Sequence, residues 1–233
     1  MSNKFNRGNL LDFESATASP VSGAILGVTP KVSAWIKVKN TDSVTFTFTT
    51  TGTADGSWKV ELSNDEAATK VNVVDRANLI APPTLPTGTL QNSTVAITTL
   101  GYAYLRLTFT PVGGAGNADA QTGVIVGKPV DLAQVSLASA FIYVPAAGAA
   151  AGSWLMETSN DWSGIGAGTT PRIADGQWTD IIDAGDPAIA SVAGSGQKLS
   201  LRLGFVEQGA LRISYTPASG FGALKVFFVG KGA

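Results

Sequence analysis

The chain contains no histidine and no cysteine among its 233 residues. A Ser-His-Asp triad, a thiol nucleophile and a zinc site of the usual His/Cys kind are therefore excluded. No disulfide staples the fold, so the composition does not indicate a disulfide-rich secreted scaffold. Histidine is the side chain that ordinarily titrates near neutral pH. Because it is missing, we expect a protein that is not an enzyme and that uses no cofactor.

Charge is also scarce. Lys and Arg total 16 against 17 Asp and Glu, and charged residues are 14% of the chain, where about 25% is usual. The net charge of −1 offers no electrostatic attraction to nucleic acid or to anionic lipid. The N-terminal residues lack the apolar run of a signal peptide. The longest apolar-looking stretch, residues 145–152, falls far short of the roughly 20 residues that span a bilayer. We expect neither nucleic acid nor membrane as partner, and a protein kept in the cytoplasm.

Internal repetition is the strongest signal that is present. Three segments recur in the same order: 56–65 (GSWKVELSND) as 152–161 (GSWLMETSND), 105–111 (LRLTFTP) as 211–217 (LRISYTP), and 124–128 (VIVGK) as 227–231 (FFVGK). The offset between copies changes from one match to the next, as expected where loops absorb insertions and deletions. The pattern predicts a duplicated domain.

The repeated segments alternate apolar and polar residues with a period of two. In 44–49 (VTFTFT) and 58–62 (WKVEL) every second residue is apolar, which is typical of strands with one buried face. Turn-forming clusters separate such strands at intervals of roughly 8–12 residues. The sequence therefore predicts an all-β fold of two tandem antiparallel β-sandwiches, jelly-roll-like. We place an extended N-terminal arm at 1–31, the first sandwich at 32–129, a linker at 130–137 and the second sandwich at 138–233. The glycine-rich segment 113–117 is expected to be a hairpin loop.

The N-terminal arm carries apolar residues without a clear period. Phe5, Leu10, Leu11 and Phe13 cannot build a core alone and need a surface elsewhere. Two alternatives are equally favoured by the sequence. The arm reaches a neighbouring subunit, which makes these four residues a candidate interaction surface, or it folds back as an edge strand of its own chain.

The motif Gly-x-Trp-x-x-Glu-x-Ser-Asn-Asp, followed by a Leu-Arg strand ending in Thr-Pro and a closing Val-Gly-Lys strand, resembles small jelly-roll proteins of tailed-bacteriophage virions. The resemblance covers about 32–129 and 138–232. It implies a virion structural protein of the capsid decoration (cement), head-fibre or tail-component type, assembled in the host cytoplasm. A weaker resemblance, to discoidin-like sugar-binding sandwiches, rests on the sandwich type and the Trp-Ser-Asn-Asp turns.

Two acidic residues of the repeated motif, Glu61 and Glu157, occupy equivalent positions. They suggest acid–base or calcium chemistry, but a structural role is favoured. Both lie on outward faces, and we expect Glu61 to face Arg106 and Glu157 to face Arg212 across neighbouring strands. An exposed pair contributes only about 0–1 kcal/mol, so its expected role is strand register. The Ser-Asn-Asp triplets that follow are expected to bond nearby backbone groups.

The densest acidic stretch contains Asp175, Asp180, Asp183 and Asp186. Calcium binding is one interpretation and glycoside hydrolysis a weaker one, but the spacing matches no EF-hand and a solvated loop is favoured. We expect no metal site.

Trp162 and Trp178 stand beside turns, whereas the repeated Trp58 and Trp154 belong to core faces. Turn-associated tryptophans either stack on sugar rings or become buried, in the core or at a subunit contact. Burial is the commoner fate, but both residues are retained as part of the candidate interaction surface.

Sparse charge and an apolar arm favour assembly, because charged residues are depleted at the centre of subunit contacts. We expect a cyclic homo-oligomer, with a trimer favoured, whose partners are other virion proteins such as the major capsid protein. Three function classes follow: a virion structural protein that stabilises the shell by protein–protein contacts, a glycan- or receptor-binding module of a tail or fibre, and, least favoured, an enzyme.

Overall fold

A computed structural model describes residues 5–66, 70, 72–75, 84–99, 101–132, 135–143, 151–159, 179–180, 198–203, 210–219 and 222–232. These residues form seventeen β-strands in two antiparallel sheets, and none of them is helical. The predicted all-β class is confirmed. It follows from strands rich in Thr, Val and Phe that alternate with period two and therefore bury one face.

The N-terminal arm, the first copy and the segment predicted as a linker supply eleven strands: β1 (Phe5–Glu14), β2 (Lys31–Val32), β3 (Ile36–Lys39), β4 (Thr41–Thr50), β5 (Asp55–Ser63), β6 (Val73–Asp75), β7 (Thr87–Thr89), β8 (Asn92–Thr98), β9 (Tyr104–Gly113), β10 (Ala118–Gly127) and β11 (Val130–Asp131). The second copy supplies six: β12 (Val135–Tyr143), β13 (Ala151–Ser159), β14 (Thr179–Asp180), β15 (Lys198–Leu203), β16 (Ala210–Ser219) and β17 (Ala223–Gly232).

Strand pairing repeats between the copies, as a duplication requires. In the first copy β4 lies between β8 and β10, and β5 pairs with β9 and β6. In the second copy β12 lies between β15 and β17, and β13 pairs with β16 and β14. Each copy is thus two three-stranded halves facing each other. This is the pair of tandem sandwich units expected from the sequence.

The two units are fused, because both sheets run through both copies. The ten-stranded sheet has the order β15-β12-β17-β1-β3-β9-β5-β6, with β2 and β7 on its flanks. The seven-stranded sheet has the order β14-β13-β16-β10-β4-β8, with β11 on β16. In the seven-stranded sheet the copies join directly, where Ile125 pairs with Tyr215 and Val126 with Ser214. In the ten-stranded sheet β1 stands between β17 of the second copy and β3 of the first.

The N-terminal arm is therefore an inner strand of its own chain. β1 pairs with β17 along its length and with β3 at Asp12–Glu14. Of the two alternatives left open by the sequence, the structure has the arm folded back, and in the middle of a sheet instead of at its edge. The next segment continues over the sandwich, where Val21 bridges Ala120 and Ala24 bridges Asn117.

Strands also occur in the segment predicted as a linker, residues 130–137. β11 pairs with β16 through Val130 and Leu211, as β3 pairs with β9 through Ile36 and Leu105. The glycine-rich segment 113–117, expected to be a hairpin loop, leads from β9 in one sheet to β10 in the other. The expectation of a hairpin was therefore wrong, because β9 and β10 are not paired.

One hydrophobic core fills the space between the sheets and includes residues of both copies and of the arm. The repeated Gly-x-Trp motif shapes it. Trp58 packs with its ring centroid 4.9 Å from that of Phe109, and Trp154 packs 4.6 Å from Tyr215. A Cβ at Gly56 would lie 2.5 Å from the Phe109 ring. Glycine is needed there because the aromatic ring occupies the space that a side chain would take.

Candidate interaction surfaces

The repeated Glu and Arg side chains form cross-strand ion pairs in both copies. Glu61 is paired in register with Arg106, whose Nε donates a hydrogen bond to Oε2 at 2.8 Å. Glu157 is paired with Arg212, whose Nε and Nη2 donate to the two carboxylate oxygens at 2.8 and 3.0 Å. The predicted pairing is confirmed. These carboxylates are held by guanidinium groups, an arrangement that fixes register.

The Ser-Asn-Asp triplet of the first copy bonds the backbone, as expected. The Ser63 hydroxyl accepts a hydrogen bond from the Asp65 N–H at 3.0 Å, and the Asn64 side-chain oxygen accepts one from the Ala103 N–H at 2.8 Å. The triplet therefore closes the end of β5 against the start of β9. Within the described residues no group of three or more acidic side chains could hold a metal ion.

The outer face of the ten-stranded sheet carries a charged network with an aromatic rim. The Arg106 guanidinium lies over the Trp35 ring, 4.6 Å from its centroid. Glu61 also forms an ion pair with Lys59. The Lys59 Nζ lies 3.2 Å from Glu61 Oε1 and 3.5 Å from Asp75 Oδ2. The hydrogen bond with Glu61 raises the pKa of Lys59. Trp35 is half-buried, so this face keeps an aromatic surface beside paired charges.

Three of the predicted interaction residues lie in the core. Leu10, Leu11 and Phe13 have no exposed surface, because β1 is covered by its two neighbours and by the opposite sheet. Their burial within the chain corrects the expectation that they offer a surface to a partner. Phe5 is the first residue of β1 and is paired with Lys231.

The tryptophans divide as follows. Trp58 and Trp154 are each 5% exposed, which confirms their predicted place on core faces. Trp162 and Trp178, and the acidic residues Asp175, Asp183 and Asp186, lie outside the described residues. Asp180 is in β14, where it is paired with Glu157.

Large aliphatic side chains are exposed at one end of the first copy. Leu26, Val28, Leu90 and Val112 are 80%, 70%, 72% and 66% exposed. We call these four residues the apolar loop end. Sequence reasoning missed them, although each stands within two residues of a glycine in a turn or at a strand end.

Backbone hydrogen bonds hold the loops of this end together. The Ile25 N–H donates to Gly116 O at 2.8 Å, Thr53 N–H to Ala115 O at 2.8 Å, and Thr50 N–H to Gln91 O at 2.9 Å. Leu90 has a φ of 50°, a conformation that costs a bulky residue conformational energy. Its side chain is 72% exposed, next to Gln91, whose carbonyl accepts one of these bonds.

No helix among the described residues is long and apolar enough to cross a membrane. No family model matches the chain, and no curated protein matches it.

Several solved structures are loosely similar to this chain. The PBSX exported protein XepA is 7% identical, with 91% of this chain and 85% of that chain covered and a TM-score of 0.28. The CBM22-1–CBM22-2 tandem domain of Xyn10C from Paenibacillus barcinonensis is 8% identical, with 96% and 98% covered and a TM-score of 0.23. A structure of infectious bursal disease virus, Gx strain, is 9% identical, with 98% and 70% covered and a TM-score of 0.26. These likenesses are loose and carry no argument about function.

Proposed function

We propose that this protein is a structural component of a bacteriophage virion, and specifically a capsid decoration protein that stabilises the shell through protein–protein contacts. The observation that carries the proposal is the apolar loop end, where four aliphatic side chains are exposed on loops that backbone hydrogen bonds hold together. Exposed aliphatic side chains at one end of a fold suit a contact with another protein. The family resemblance of the repeated motif supplies the choice of partner, the major capsid protein or a neighbouring head or tail protein.

The fusion of the two copies supports a mechanical role. Both sheets and the core run through the whole chain, so that the loops are carried by one continuous double layer. The repeated carboxylates are held in guanidinium pairs, which supports a protein without catalytic chemistry. On this proposal the protein is located in the virion, is assembled in the host cytoplasm, and acts as a homo-oligomer without cofactor, nucleic acid or membrane.

The test is binding to capsid shells that lack the protein. We expect saturable binding with a fixed number of copies per shell, measured by co-sedimentation and mass spectrometry. Leu26→Glu with Leu90→Glu should abolish it, because two charges would be buried against the shell. Leu155→Glu is the matched control, since Leu155 is 39% exposed and lies on β13 in the other copy. Full binding by the double variant, or no binding by the wild type, would refute the proposal.

A second candidate is a glycan- or receptor-binding module of a tail or fibre. It is supported by Trp35, a half-buried aromatic ring that packs against Arg106, since aromatic rings with polar neighbours suit sugar faces. A glycan array with hits that Trp35→Ala removes would favour this role. An array without hits, together with stoichiometric shell binding, favours the structural role.

A further inference from the structure

The edge of the seven-stranded sheet differs from the other edges of the fold. β8 pairs with β4 from Asn92 to Thr98 without a register shift, and β4 is its only partner among the described residues. An unpaired edge is a template for another strand, and proteins usually protect such edges with charge, proline, bulges or short length. β8 is seven residues long and has no charged residue, no proline and no glycine.

The direction of its free backbone groups follows from two hydrogen bonds. The Thr50 N–H donates to Gln91 O, and the Thr99 N–H donates to Asp42 O. In an antiparallel pair, residues alternate between those that bond the partner and those that point away. Odd-numbered residues of this strand therefore bond β4, and the N–H and C=O groups of Asn92, Thr94, Ala96 and Thr98 point to the open edge.

The duplication supplies an internal comparison. β15 occupies the equivalent edge of the second copy, with Lys198 paired to Tyr143 and Arg202 to Ser139. The offset of 106 residues that relates 105–111 to 211–217 aligns Lys198 with Asn92 and Arg202 with Ala96. The second copy thus has two cations where the first has Asn and Ala. The lack of charge extends well beyond β8, since none of residues 77–105 is charged.

Apart from β15, the other described edge strands are protected by their short length. β6, β7 and β14 are three, three and two residues long. Among the edges that the structure describes, β8 alone is long, regular and uncharged, and it is exposed at Asn92, Thr94 and Ala96.

We propose that β8 is a docking edge for β8 of a second copy of this chain, in an antiparallel pair about a two-fold axis. With Val95 opposite Val95 of the second copy, Asn92 faces Thr98 and Thr94 faces Ala96. All the outward donors and acceptors then find partners. An uncharged strand meets its own copy without like-charge repulsion, which favours self-pairing. The seven-stranded sheets of two molecules become continuous. This inference does not depend on the protein's place in a virion.

Two edge variants test the contact. Asn92→Lys with Ala96→Arg gives β8 the charges of β15, and Thr94→Pro removes an outward N–H that β4 does not use. Sedimentation equilibrium should show a wild-type dimer, and each variant should raise its dissociation constant by about tenfold or more. Thermal unfolding checks that the variants fold. A wild-type protein that stays monomeric at micromolar concentration, or a dimer that the folded edge variants leave unchanged, would overturn the proposal.

Register is tested by a single cysteine, since the native chain has none. Val95→Cys places two thiols opposite each other in a pair with Cα atoms about 4.5 Å apart, within the range for a disulfide. We expect oxidation to give a covalent dimer quickly, whereas Thr45→Cys, one strand inward, should not. Equal crosslinking of the two variants would contradict the register. Exchange-protected amides at Thr94 and Ala96 in a monomer would show that the chain covers its own edge, which also overturns the proposal.

Discussion

At the scale of single residues, Gln91 positions Trp58, the tryptophan of the first Gly-x-Trp motif, beside the start of β8. Its side-chain oxygen accepts a hydrogen bond from Trp58 Nε1 at 2.7 Å, and its amide nitrogen donates to Gly56 O at 3.0 Å. Its backbone N–H donates to the Thr50 hydroxyl at 2.8 Å. This buried network joins the start of β8 to the repeated Gly-x-Trp motif.

We expect Gln91→Leu to lower the free energy of unfolding by about 1–3 kcal/mol, because the Trp58 N–H and the Gly56 carbonyl would be left buried without their partner. Chemical denaturation measures the loss. Gln121→Leu is the control: Gln121 is exposed on β10 and its replacement should change stability by less than about 0.5 kcal/mol. Equal effects of the two changes would show that the network contributes nothing.

The sequence of the second copy allows the same test at Trp154, the counterpart of Trp58. Trp154 Nε1 is buried and has no hydrogen-bond partner among the described residues. Gln197, which lies outside them, precedes β15 as Gln91 precedes β8. We therefore expect Gln197→Leu to destabilise the protein about as much as Gln91→Leu does, measured by the same denaturation curves. A neutral result would mean that the two copies differ at this contact.

Tyr215 is the counterpart of Phe109 and differs from it by a buried hydroxyl. Burial raises the pKa of Tyr215 to about 12, and the hydroxyl has no partner among the described residues. Removing it should therefore leave stability at pH 7 unchanged or improve it by up to about 1–2 kcal/mol.

The pH dependence has a definite sign. Above about pH 10 the unfolded chain releases the tyrosine proton while the folded protein retains it. The unfolded state then binds fewer protons, so stability falls as pH rises from 10 toward 12. We expect Tyr215→Phe to reduce this fall in a series of alkaline denaturation curves. An unchanged curve would show that the hydroxyl is not buried as described.

At the scale of strands, the Glu–Arg pairs differ between copies in their exposure. The side chains of Glu157 and Arg212 are 14% and 13% exposed, whereas Arg106, the partner of Glu61, is 30% exposed. The contribution of about 0–1 kcal/mol expected for an exposed pair is therefore too low for Glu157 and Arg212, whose side chains are largely covered. A bidentate hydrogen-bonded pair in this setting is stronger than an exposed one.

We expect a double-mutant cycle with Glu157→Gln and Arg212→Gln to give a coupling energy of about 1–2 kcal/mol. The same cycle on Glu61 and Arg106 should give less than about 1 kcal/mol and should weaken more in high salt. Denaturant unfolding at low and high ionic strength measures both. The reverse order of the two couplings would rule out burial as the cause.

The sequence predicted the repeated strands because each alternates with period two and buries one face. It also predicted that Glu61 pairs with Arg106, because both residues lie on outward faces of strands that recur together in the two copies. Short strands were not foreseen, since β2 and β11 have two residues each and two residues carry no period. The apolar loop end was missed for a related reason. Whether Leu26 or Leu90 is exposed depends on tertiary surroundings, which local pattern does not contain.

At the scale of the whole molecule, the arm decides how two copies of one sandwich become a single double layer. Either copy satisfies its own pairings, so repetition in the sequence does not reveal where the copies join. The structure joins them through β10 and β16 in one sheet, and by inserting β1 beside β17 in the other. The place of β1 depends on contacts far apart in sequence, with Phe5 paired to Lys231.

Deleting residues 1–14 should therefore destabilise the whole protein. The deletion removes Leu10, Leu11 and Phe13 from the core, and each fully buried side chain of this size contributes about 1.5–3 kcal/mol. Their sum is comparable to the total stability of an ordinary domain, about 5–15 kcal/mol. The deletion also opens the ten-stranded sheet between β17 and β3. We expect a large fall in melting temperature, or loss of cooperative unfolding, in calorimetry.

Deletion of residues 1–4 is the matched control, because it leaves every residue of β1 in place, and its melting temperature is the reference for the longer deletion. A synthetic peptide of residues 1–14, added to the longer deletion, should restore cooperative unfolding by re-forming β1 between its two neighbours. Such rescue requires that the arm act as a separable strand. A truncated protein that melts like the full chain would show that β1 is not needed to unite the two copies.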